Sequence, residues 1–115
     1  MSTIRGKVIS IETDGAGAFA TDVRVYGKIH ALALRLGDLV TPDLTVEDYL
    51  SGAPVLAVTG VAASKRWQPR VLVQDEDGAD IAATYDAPFA TGRLSVVVAG
   101  GGATVTGELV IVFEG

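Results

Sequence analysis

Apolar residues in this chain recur at every second position, not every third or fourth, and that period constrains the fold more than any other feature. The last stretch is the clearest case. Val105, Gly107, Leu109, Ile111 and Phe113 share one parity, and Thr104, Thr106, Glu108, Val110, Val112 and Glu114 the other. Successive side chains on a strand point to opposite faces, so such a stretch buries one side and wets the other. Leu94, Val96 and Val98 repeat the pattern in Arg93 to Ala99. Gly100-Gly101-Gly102 lies between the two stretches, and glycines reach positive φ without steric cost, so a hairpin is expected there.

The rest of the chain reads in the same way. Thr3 to Thr13 is β-branched and apolar, Asp14-Gly15-Ala16-Gly17 is turn chemistry, and Ala18 to Val25 returns. Lys28 to Leu36 is apolar on both parities, as a central strand is, and Gly37-Asp38 ends it. Leu44 to Tyr49 and Pro54 to Val61 pair around Ser51-Gly52, with one helical turn over Leu44 to Leu50 as the alternative. Trp67 to Gln74 is the next strand, closed by Asp75-Glu76-Asp77-Gly78, and Ala79 to Thr91 reads as an irregular connection or arm. The expectation is a single all-β domain over residues 1–115. It holds about eight short strands in a two-sheet sandwich of jelly-roll or Greek-key type.

Composition narrows the function. The formal net charge is −5, with 14 Asp and Glu against 9 Lys and Arg, which argues against a nucleic-acid partner. There is no cysteine, so disulfides and thiolate metal sites are excluded. Neither a targeting segment nor a run of about 20 apolar residues is visible, so no membrane association is expected. Apolar residues make up 49% and charged residues only 20%, a balance that suits either surface covered by neighbours or a two-layer β core written in an Ala-rich genome.

Candidate sites were weighed against plainer roles. His30 is the only histidine; acid–base work would need a carboxylate close by, which the sequence alone does not place, and no triad spacing is present, so catalysis is not expected. Asp75, Glu76, Asp77 and Asp80 around Gly78 echo part of a calcium loop, but flanking strands favour a solvated turn, and no metal or cofactor is expected. Gly100, Gly101 and Gly102 lack the lysine and helix of a phosphate loop and read as a tip that approaches a neighbour's backbone. Lys65-Arg66-Trp67-Gln68-Pro69-Arg70 sets three cations around the only tryptophan. Either Trp67 is core with the cations reaching outward, or Arg66, Trp67 and Arg70 anchor an interface.

Several segments in order carry a resemblance. They are Gly37-Asp38-Leu39, Leu44-Thr45-Val46, Pro54-Val55-Leu56, Trp67-Gln68-Pro69-Arg70 leading to Asp75 and Gly78, Thr84-Tyr85-Asp86, and Arg93 to Gly102 before the last strand. Together they resemble a family of small virion structural proteins of tailed bacteriophages. The resemblance covers most of the chain from Lys28 onward and implies no catalytic residues. It implies a capsid decoration, or cement, protein made in the host cytoplasm and carried on the virion. Its expected partner is the major capsid protein, and its expected state a homotrimer. The contact elements would be Arg66, Trp67 and Arg70, Gly100 to Gly102, Ala79 to Thr91, and the first strand pairing with a neighbour's edge. A head-tail connector, tail or fibre component is the alternative within the same particle. A carbohydrate- or host-binding module is the alternative outside that class.

Overall fold

The structure, a computed structural model, describes residues 3–74 and 80–115, and these form nine strands and no helix. The strands are β1 (Ile4–Glu12), β2 (Phe19–Arg35), β3 (Asp43–Asp48), β4 (Pro54–Val58), β5 (Lys65–Trp67), β6 (Val71–Gln74), β7 (Asp80–Asp86), β8 (Phe89–Ala99) and β9 (Thr106–Glu114). The alternation places the faces as expected. Leu94, Val96 and Val98 of β8 and Leu109, Ile111 and Phe113 of β9 are all buried. They join Ile9 and Ile11 of β1, Val23 and Val25 of β2, and Leu44 and Val46 of β3 in one core.

The ladders give one seven-stranded antiparallel sheet, ordered β1-β9-β2-β8-β3-β4 with β5 also on β2, and a separate two-stranded ribbon of β6 and β7. The all-β class therefore holds. The hydrogen bonds do not divide the body into two separate sheets, because β2 runs through both halves. Its first part, Phe19 to Lys28, pairs with β8, and its second part pairs with β9 on one side and β5 on the other. Straight, its 17 residues would span about 55 Å. Yet the six residues from Gly100 to Val105, able to reach about 20 Å at most, connect β8 beside Phe19 to β9 beside Arg35. The two ends of β2 must therefore approach each other, and the sheet folds over its own core.

The bend has local causes. Gly27 has φ +122°, in the region that favours glycine, and the pairing with β9 shifts register between Ile29 and Ala31. A side chain at Gly27 would overlap the carbonyl oxygen of Glu114, so β2 and the end of β9 touch backbone to backbone there.

Several sequence expectations are corrected by this topology. Ala18 to Val25 and Lys28 to Leu36 are one bent strand, not two. Arg93 to Ala99 and the last strand do not form a hairpin, because β2 lies between β8 and β9. The strand expected from Trp67 to Gln74 is broken at Gln68 to Arg70, where Pro69 brings no N–H for a ladder. Ala79 to Thr91 is not irregular: β7 and the start of β8 occupy most of it. Leu44 to Asp48 is strand, not a helical turn, and pairs with β4 as expected. The Asp75 to Gly78 turn lies outside the described residues.

Candidate interaction surface

The cluster around Trp67 is divided by its own strand. Trp67 pairs with Leu32 and Arg66 with Ala33, so alternation sends them to opposite faces. Trp67 is half-buried and packs against the core, whereas Arg66 and Arg70 are exposed. One Arg70 nitrogen, Nη1, donates to the Pro69 carbonyl at 2.8 Å. Trp67→Ala is expected to cost about 2 kcal/mol of stability, and Arg66→Ala to stay within about 0.5 kcal/mol, as read by denaturant melts of the free chain.

The glycine segment is used largely inside the molecule. Gly101 is buried. Its N–H donates to the Gly17 carbonyl at 3.1 Å, and its own carbonyl accepts from the Val40 N–H at 2.9 Å. The Gly102 carbonyl accepts from the Thr13 hydroxyl at 2.7 Å. These bonds tie the two ends of β2 together. Gly100 is exposed, with φ +64° and open space around it.

His30 sits at the irregularity in β2, where its Nε2 meets Glu114 Oε1 at 2.9 Å. The pair is about one-third exposed and links the bend to the last strand.

Asp48 is the most constrained carboxylate described, only 1% exposed at the end of β3. The Ser51 N–H and hydroxyl donate to its Oδ2 at 3.2 and 2.6 Å. The Thr91 N–H donates to Oδ1 at 3.0 Å, and the Thr91 hydroxyl reaches both oxygens at 2.9 and 2.8 Å. Burial pushes this carboxyl up, but the Ser51 and Thr91 hydrogen bonds outweigh it and hold it below the usual carboxylate range. The cluster fastens the β3–β4 turn to β8.

The surface with the greatest binding potential was not singled out in the sequence. On the outward faces of β2 and β8, Arg24 stands opposite Arg93, Tyr26 opposite Thr91, and Lys28 opposite Phe89. The Tyr26 and Phe89 rings meet edge to face with centroids 5.2 Å apart, although they are 63% and 49% exposed. The Tyr49 ring, 53% exposed, lies under the Arg93 guanidinium at 5.1 Å. Arg5 and Lys7 of β1 join Arg24 and Tyr26 in lining one open cleft. Exposed aromatics beside arginines are the residue types that dominate binding hot spots. The usable signal was parity: Arg24, Tyr26 and Lys28 alternate with Val23, Val25 and Gly27. What parity could not supply was the strand that lies beside them.

No family model matches the chain, and no curated protein matches it.

Proposed function

We propose that this chain is a non-catalytic assembly protein, and within that class a decoration protein on the capsid of a tailed phage. The observation that carries the assembly reading is the β6–β7 ribbon. Its strands pair with each other and with no other described strand. A two-stranded ladder alone is marginal in water, and a neighbour that packs on it or extends it would add stability that the ladder itself does not supply. The exposed Tyr26, Phe89 and Tyr49 beside cations add a surface of the kind partners bury. The phage reading rests on the sequence resemblance alone. It entails the major capsid protein as partner, a homotrimer as the state in the lattice, and clamping of adjacent capsid subunits as the mechanism. Arg66 and Arg70 remain the candidate contacts of the first cluster, with Gly100 the exposed member of the glycine segment.

Quantitative mass spectrometry of purified particles tests this. On the order of hundreds of copies per particle is the expected result for lattice decoration. About a dozen copies or fewer would instead indicate a head-tail connector, tail or fibre component, and absence from the particle would overturn the phage reading.

A second reading, a carbohydrate- or host-binding module, is favoured by Tyr26 and Phe89 lying on adjoining strands with Tyr49 in the turn just beyond β3, and not scattered. Saturable binding of the isolated chain to a glycan array, abolished by Tyr26→Ala, would support it.

A further inference from the structure

We propose that the cleft around Arg24 seats an acidic segment of a second copy of this chain, the run from Asp75 to Asp80, so that copies join head to tail. The proposal deepens the assembly reading by naming the partner.

Arg24 and Arg93 stand in an unfavourable arrangement. The Arg24 carbonyl accepts from Lys7 Nζ at 3.2 Å, and the Arg93 carbonyl accepts from the Tyr49 N–H at 2.9 Å. Both carbonyls therefore point away from the β2–β8 seam, which makes Arg24 and Arg93 a rung without mutual hydrogen bonds. On such rungs the backbones approach to about 4.5 Å and the side chains are closest. Like charges directly opposite each other destabilise a sheet. Arg5 and Lys7 line the cleft with Arg24, while the Arg93 guanidinium lies over the Tyr49 ring. The ion pairs among the described residues are Lys28–Asp86, His30–Glu114 and Arg35–Glu108, and none uses these four cations. Three cations thus line the cleft, with Arg93 beside it on β8, and none of the four takes part in these ion pairs, in a chain whose net charge is −5.

The counter-charge is in the same sequence. Setting aside the four cations leaves 5 Lys and Arg against 14 Asp and Glu, a balance of −9. The densest acidic run is Asp75, Glu76, Asp77 and Asp80, which follows β6 and reaches the first residue of β7, in the ribbon that pairs with nothing else described. A dense run of carboxylates suits a cleft lined by cations, and arginine forks take carboxylates two bonds at a time. The exposed Tyr26 and Phe89 supply an apolar rim. A cleft on one copy filled by the ribbon of the next is a heterologous contact, which closes into a ring or grows as a chain.

Native mass spectrometry and sedimentation of the full chain test the proposal at about 0.05 M and about 1 M salt. The expected result is an oligomer at low salt that dissociates at high salt. Arg24→Glu with Arg93→Glu should leave monomers, weakening association about 100-fold or more. Asp75→Lys, Glu76→Lys and Asp77→Lys together should do the same. All five substitutions in one chain should associate more tightly than either set of reversals alone, because the two reversed cations again meet opposite charge. A separate variant, Arg24→Thr, should raise the melting temperature of the free chain while weakening the oligomer, since it relieves the opposed arginines. A wild-type chain that is monomeric at both salts overturns the proposal. So does an oligomer indifferent to the reversals, or a five-substitution variant that folds but associates no better than either set of reversals alone. A monomer that still decorates particles would defeat this inference and leave the assembly reading standing.

Discussion

Gly27→Ala should be among the most damaging single substitutions outside the apolar core, lowering stability by about 3 kcal/mol and the melting temperature by roughly 10 °C. Two separate causes combine. The residue has φ +122°, a conformation L side chains rarely adopt. A Cβ there would also overlap the Glu114 carbonyl oxygen and crowd Gly115, both backbone atoms that cannot rotate away. The chain can accommodate the methyl only by parting β2 from the end of β9 at the bend that lets the sheet fold over its core. Gly52→Ala is the control. Gly52 also has positive φ, +71°, but nothing lies within 4 Å of its added Cβ. It should cost about 1 kcal/mol. Paired thermal melts decide the matter: equal losses at the two sites would mean that the close approach at Gly27 does not hold the fold together.

Asp48→Ala should cost about 3 kcal/mol, because four donors from Ser51 and Thr91 lose their acceptor where little water reaches. Asp48→Asn keeps the shape and one acceptor, and should cost about half as much. The pH dependence follows from the same bonds. The folded carboxyl is held below the ordinary carboxylate pKa of about 3.9, so its stabilisation is fully present above that value. It is lost as pH falls through the lower folded pKa. Wild type and Asp48→Asn should therefore differ most near neutrality and converge in acid. Asp14 has the same sign, held low by the N–H groups of Ala18 and Ala16, and its share persists in the Asp48→Asn variant. A gap between the two proteins that stays constant down to about pH 2 would remove Asp48 as the acid-sensitive latch.

Much of the local structure was legible in the chain because a strand's period reports its buried face. Leu94, Val96 and Val98 could be assigned together, as could Leu109, Ile111 and Phe113, and both sets are buried. Asp14 also acts as the turn former its position suggests. A period does not report a strand's neighbour. The glycines between β8 and β9 fit a hairpin, yet the 17-residue β2 had apolar surface to cover on both halves and took the space between them. The break at Pro69 was readable from the missing N–H, but the apolar residues on either side masked it. The cationic cleft was the least legible feature. Lys7, Arg24 and Arg93 are far apart in sequence, and only strand pairing brings them together. The tryptophan cluster, contiguous in sequence, drew attention that its geometry divides between two faces.

The proposed role is adhesion to neighbouring chains without chemistry of its own. An image reconstruction of the intact particle bears on it most directly. If the chain decorates a capsid as proposed, the body of β1 to β5, β8 and β9 lies against the outer capsid surface, with the β6–β7 ribbon seated on an adjacent chain. Particles whose surface carries no such density, together with a free chain whose ribbon touches nothing, would contradict it.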